Sequence, residues 1–169
     1  LILPEYKDML VVQNPATSST GLAFLLATVA AFGDSWTDYW KQLVNNNVQV
    51  VDSWDEAYYT SFTRYGGDRP LVVSYSTSPP AEVIFADPPL PAGSPALTGV
   101  ASETCFRQVE YAGVLRGTDF TKQAQQLVDY LTSPMFQALL PESLFVYPAN
   151  KDVELPQSFV DYAPKIVNS

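Results

Sequence analysis

The chain has 169 residues, 47% of them hydrophobic and 16% charged, enough to bury a core in one compact domain and too apolar to be disordered. Eighteen acids against nine bases leave a net charge of −9, which argues against a nucleic-acid partner because no basic patch could release its counterions. With no histidine and a single cysteine, a histidine-based triad, a histidine metal site and an internal disulfide are all excluded.

Residues 9–13 read as a first strand, stopped at Asn14-Pro15 because the residue before proline is pushed out of the helical region. Four hydroxyls, Thr17, Ser18, Ser19 and Thr20, lead into a helix predicted from Ser18 or Ser19 to Phe32, with Gly33 as its C-cap. That helix is apolar on all sides and is expected to be buried. Asp34 and Ser35 are expected to cap a second helix, where Trp36, Tyr39, Trp40, Leu43 and Val44 share one amphipathic face and Trp36, Tyr39 and Trp40 are assigned to the core. Residues 48–51 form a second short strand. Ser53 and Glu56 have the spacing of a capping box, which places Trp54 at the first position of a third helix running to Gly66-Gly67.

Residues 71–75 complete a third strand. Strands alternating with helices predict an α/β fold, a mixed and mostly parallel sheet flanked by helices. Residues 79–99 hold many prolines and little periodicity, and are expected to be an exposed loop with 83–85 as an edge strand. A longer β segment is predicted over 104–115, with Cys105 as a buried apolar side chain. A helix capped by Thr118 or Asp119 follows, with Ala124, Leu127, Val128 and Leu131 on one face. Pro134 opens a short helix ending near Leu140, and the proline-rich tail is expected to lie over the surface. The whole of 1–169 is read as one compact unit: an α/β core over about 9–115, then C-terminal helices and an extended tail over 116–169. The longest apolar run, 22–32, is too short to cross a bilayer, nothing resembles a signal peptide, and the start at Leu1 is read as that of an excised or processed piece.

The chemistry-bearing residues point to binding rather than turnover. Asp55 and Glu56 are adjacent and do not share a helix face, Asp34 and Asp38 lie where solvation is expected, and Ser74 and Ser78 lack any histidine to activate them. No GxGxxG, Walker-type or GxSxG motif occurs, and no cofactor is expected. By contrast, three strand ends, "NPATSSTG", "DSWDEAY" and "SYSTSPP", carry hydroxyls or aromatics where doubly wound sheets hold their ligands. A helix start offers free N–H groups and about half a positive charge to a phosphate or carboxylate. Trp54 and Tyr75 offer π faces to a heteroaromatic ring or a cation. Plainer readings stand beside these: helix capping for the hydroxyls, a packing staple for Trp54, and a core-and-solvent split for Tyr58 and Tyr59.

The stretches "VVQNPATSSTGLAFLL", "SWDEAY", "LVVSYSTSP", "QVE" at 108–110 and "SPMFQALLPESLFVYP" resemble, in order and spacing, the thiamine-binding proteins of bacterial ABC importers, which have the type II periplasmic-binding-protein fold. The resemblance implies a lobe that binds thiamine or a thiamine phosphate, delivers it to ABC permease subunits, works as a monomer outside the cytoplasm (periplasmic or as a lipid-tethered lipoprotein), and faces a partner lobe absent from this chain. By position it implies that Ser18 binds phosphate with Thr17 and Ser19 as helpers, that Trp54 and Tyr75 pack on the ligand, and that Phe145 stands where the family has a tryptophan. Ala81 stands where the family has a second tyrosine. Two alternatives accompany it: the same fold carrying ferric iron through Tyr58 and Tyr59, or another small anion; and an interaction domain with no small ligand.

Overall fold

The structure, a computed structural model, describes residues 1–91, 93–101 and 104–164. They divide into two compact units, the first built on Leu1–Ser76 with Ala101–Gln108, the second on Thr77–Val100 and Val109–Lys165.

In the first unit, β1 (Leu10–Gln13) is buried along its whole length. It lies between β2 (Gln49–Val51) and β3 (Leu71–Val72), giving the order β2-β1-β3. Both pairings are parallel, with Val11 opposite Gln49 and Val72, and Gln13 opposite Val51. A central parallel strand covered on both faces is apolar without alternation, which accounts for "LVV". Leu10 and Val12 meet Leu43, with Phe24, Tyr39 and Trp40 around them, so α1 (Ser19–Phe32) and α2 (Trp36–Asn45) cover one face. Val11 and Val51 meet Ala57 on the other face.

Several expectations are corrected here. Helix α1 is not buried all round: Leu22, Leu26 and Phe32 are more than 40% exposed, and only Thr20, Gly21 and Thr28 are fully covered. A three-stranded sheet offers α1 one side to pack on, and its other side is left outside. Thr28 earns its place in that interface by donating to the Leu25 carbonyl and accepting from Trp40 Nε1, at 2.7 and 2.8 Å. On α2, Leu43 is buried, Trp36, Tyr39 and Trp40 are half-buried, and Val44 is 64% exposed. Neither Ser18 nor Ser35 caps its helix with its side chain.

Ser53 does cap. Its hydroxyl accepts from Glu56 N–H at 3.1 Å, and the Glu56 carboxylate accepts from Asp52 N–H at 3.3 Å, one residue earlier than in the usual box. The helix it starts does not run on to Gly66. After α3 (Trp54–Glu56) the chain widens into a π-helical turn at Ala57–Ser61, goes extended at Phe62, and closes with a 3-10 turn, Thr63–Tyr65, at left-handed Gly66. The Phe62–Arg69 bridge draws the chain out of the helix, and Thr63 N–H donates to the Arg69 carbonyl at 3.0 Å. Replacing Ser53 with alanine is expected to cost about 1 kcal/mol, the usual worth of an N-cap, read as a lower urea midpoint with an unchanged slope.

In the second unit the expected loop begins instead with α4 (Ser78–Ile84), whose prolines sit in the first turn where their missing N–H is no loss. There is no edge strand at 83–85. The β segment expected over 104–115 is likewise not found: among the described residues none of it pairs, and Tyr111 and Leu115 are 91% and 81% exposed. β-propensity alone cannot hold a strand without a partner edge. Cys105 is half-buried rather than buried. Helix α5 (Thr121–Leu131) leaves Leu127 exposed while Ala124, Val128 and Leu131 turn inward, and Thr118 Oγ accepts from Phe120 N–H just before it. Two short helices follow, α6 (Pro134–Gln137), capped by Ser133, and α7 (Leu140–Ser143). The tail is anchored rather than merely laid over the surface. Gln137 Oε1 accepts from Ala149 N–H at 2.6 Å, and Phe159 of α8 (Gln157–Tyr162) is buried.

Candidate functional site

Parallel pairing brings the C-terminal ends of β1, β2 and β3 to one edge, and side chains then tie each end to the other two. Asn14 Nδ2 donates to Asp52 Oδ1 at 3.2 Å and Thr17 Oγ donates to the Asp52 carbonyl at 2.7 Å, joining the first end to the second. Trp54 Nε1 donates to Ser74 Oγ at 2.9 Å, joining the second to the third. Gln13 Nε2 donates to the Val73 carbonyl at 2.8 Å, joining the third to the first. Three loops that would otherwise move separately are held as one polar rim.

On this rim Ser18 is half-buried just ahead of α1, and its hydroxyl lies 2.9 Å from that of Thr20, which donates to Gln13 Oε1 at 2.8 Å. Thr17 is exposed, but its one proton goes to Asp52. Ser19 is exposed at the first position of α1. The first turn of this fourteen-residue helix presents the unpaired N–H groups that any helix start leaves.

Beside it stands an aromatic group. Trp54 is half-buried and stacks on the buried Tyr58, centroids 4.7 Å apart and planes 19° off parallel, so one indole face is already covered. Tyr59 meets its edge at 5.5 Å and Tyr75 lies tilted at 6.1 Å. Tyr59 and Tyr75 are about half exposed, at 51% and 43%, whereas Tyr58 is 3% exposed, the split expected of adjacent helical tyrosines. That split separates the two phenols by burial and sets their rings at 81°, which counts against their sharing an iron. Among the described residues no cluster of three or more aspartate, glutamate or cysteine side chains could hold a metal ion.

Phe145 belongs to the second unit, where it meets Phe85 edge-on at 5.3 Å and adopts a left-handed φ of 55° that a bulky residue rarely takes. A shallow apolar groove of about 400 Å³ runs along α2, lined by Trp36, Thr37, Trp40, Lys41, Val44 and Asn45, and includes none of the strand-end residues.

The sequence reading missed Gln13, Asn14, Asp52 and Ser74, which hold the site together. The signal for Gln13 was available, since a polar residue ending a wholly buried strand must find hydrogen-bond partners.

A parallel α/β sheet whose strand ends gather a polar rim and an aromatic platform has the architecture of a ligand-binding protein. More narrowly, residues 1–166 match the bacterial extracellular solute-binding protein family, and the chain belongs to it. It is 31% identical to the thiamine-binding periplasmic protein of Salmonella typhimurium over 163 residues, 96% of this chain and 47% of that protein. Against the protein of that name from Escherichia coli it is 31% identical over 147 residues, 87% and 42% of the two chains. The corresponding Brucella abortus protein matches at 31% over 158 residues, 92% and 44%. Among solved structures, a periplasmic thiamin binding protein superposes with a TM-score of 0.70 at 29% identity, covering 95% of this chain and 49% of that one. The chain thus spans about half the length of the curated relatives it matches.

Proposed function

We propose that this chain is a ligand-binding lobe of an extracytoplasmic solute-binding protein that carries thiamine or a thiamine phosphate to an ABC permease. What supports this most is the joining of the three strand ends, which sets Ser18 and the start of α1 beside Trp54 and Tyr75 in a chain whose relatives are named for thiamine binding. The cationic thiazolium suits the open face of Trp54, with Tyr75 and Tyr59 at its edges, a contact worth about 0.5–2 kcal/mol per ring. An anionic group suits the free N–H donors of the first turn of α1, with Ser18 beside them and Ser19 at the rim, while Thr17 braces the loop through Asp52. The family resemblance alone assigns a ligand-facing ring to Phe145.

The role is carriage without turnover, and thiamine is cargo rather than cofactor. The periplasm, or a lipid tether at the outer face of the membrane, is the proposed location, the monomer the proposed state, and the permease subunits the proposed partners. A second lobe from outside this chain would supply the facing wall of the cleft.

Calorimetric titration of the chain with thiamine and thiamine monophosphate tests the proposal. Saturable heat in the micromolar to millimolar range is expected, weak because binding is shared with that facing wall. Absence of heat from both compounds at millimolar concentration, in a chain shown by circular dichroism to be folded, overturns it.

A further inference from the structure

Gln13 is fully buried, and its amide can point only one way. The Val73 carbonyl is an acceptor, so the group 2.8 Å from it is the NH2 and the oxygen faces Thr20. Thr20 Oγ lies 2.8 Å from that oxygen and has to donate to it. A hydroxyl has one proton. Having given it to Gln13, Thr20 can only accept in its 2.9 Å contact with Ser18 Oγ, and Ser18 has to donate inward. The outward side of the Ser18 hydroxyl is left with lone pairs.

We infer that Gln13 and Thr20 are positioning residues that set the polarity of Ser18, so that this hydroxyl meets a ligand as a hydrogen-bond acceptor. It therefore favours a ligand that brings its own O–H, such as the hydroxyethyl group of thiamine or a singly protonated phosphate, over a fully ionised phosphate. The inference rests on the reading of Ser18 as ligand-facing. A phosphate oxygen without a proton gains a donor from Ser18 only by breaking the Ser18–Thr20 bond. Selection between thiamine and its phosphate is then governed by two residues that the ligand does not touch.

Thr20→Val keeps the shape of the side chain and removes the acceptor, which frees the Ser18 proton to turn outward. The ratio of dissociation constants for thiamine and thiamine monophosphate is expected to move about tenfold toward the phosphate, the worth of one hydrogen bond to a charged group. Thr20→Ser, which keeps the hydroxyl, is expected to leave the ratio at its wild-type value, and Ser18→Ala added to Thr20→Val is expected to abolish the shift. General damage to the fold weakens both ligands alike and does not move the ratio; an unmoved ratio in Thr20→Val overturns the inference.

A ligand-free measurement separates this from the thiamine reading. In proton NMR of the wild-type chain the Ser18 and Thr20 hydroxyl protons are expected to exchange with water far more slowly than that of exposed Ser19, and Gln13→Ala is expected to erase the difference. Equal exchange at all three positions overturns the inference whether or not either thiamine compound binds. Slow exchange in a chain that binds neither compound overturns only the choice of ligand.

Discussion

Trp54→Ala is expected to weaken thiamine binding by roughly 30- to 100-fold, the largest loss at any single position of the site. A desolvated cation–π contact contributes about 2 kcal/mol or a little more, and each 1.4 kcal/mol is a factor of ten in the dissociation constant. Alanine also removes the ring against which Tyr59 and Tyr75 are set, at centroid distances of 5.5 and 6.1 Å. Trp54→Phe provides the graded comparison. It keeps a ring on Tyr58 but loses the 2.9 Å tether to Ser74, and an intermediate loss is expected. Calorimetry decides the matter, with the unfolding midpoint as a check on folding. A loss of less than threefold in Trp54→Ala would assign the indole to packing against Tyr58 and place the thiazolium elsewhere.

Gly21→Ala is expected to lower stability strongly. Gly21 is buried in the first turn of α1, and a Cβ there would collide with the backbone carbonyl of Gln13, with the Asn14 carbonyl carbon 3.1 Å away. Neither obstacle is the flexible end of a side chain. Relief would require α1 to move away from the end of β1, dragging Thr20 from Gln13. Overpacking of this kind costs about 1–3 kcal/mol and sometimes more, or a fall in melting temperature of about 2–12 °C in a chain of this size. The thermal transition of the variant measures it directly, and a melting temperature within about 1 °C of wild type would show that the helix shifts freely.

Much of the first unit was legible because local signals agreed with one another. The apolar run before Asn14-Pro15 pointed to a strand, the Ser53–Glu56 spacing to a helix start and the alternation of strands with helices to a mostly parallel sheet, and the sheet is there with its strands within a residue or two of the predicted starts. The ends of β3 and of the third helix were not legible. β3 stops at Val72 because pairing with β1 stops there, and the helix gives way after Glu56 because Ser61 and Thr63 bond with Arg69, partners that no periodicity reveals.

Burial was overread on α1, where an all-apolar sequence implied a covered helix but the described residues give the sheet only three strands to cover it with. Pro79 and Pro80 were read as loop residues when they open α4, the one place in a helix where proline is at home. For the site, the residue types at the strand ends were readable. The bonds that join those ends were not, since Asn14–Asp52 and Trp54–Ser74 link residues 38 and 20 apart.

The order β2-β1-β3 also fixes a sequence of events during synthesis. The strand made first is the central one, and its neighbours come from Gln49 and Leu71 onward. Growing at about 5–20 residues per second, the chain carries the apolar run of β1 uncovered for several seconds before its second neighbour exists. Closing such long loops is slow compared with local helix formation. The Val73 carbonyl, which fixes the amide of Gln13, follows the last strand of this sheet. The rim therefore cannot form piecemeal. Nascent chains cut short of residue 73 lack the group that orients Gln13, and a ligand can select the folded unit only once that residue has left the ribosome.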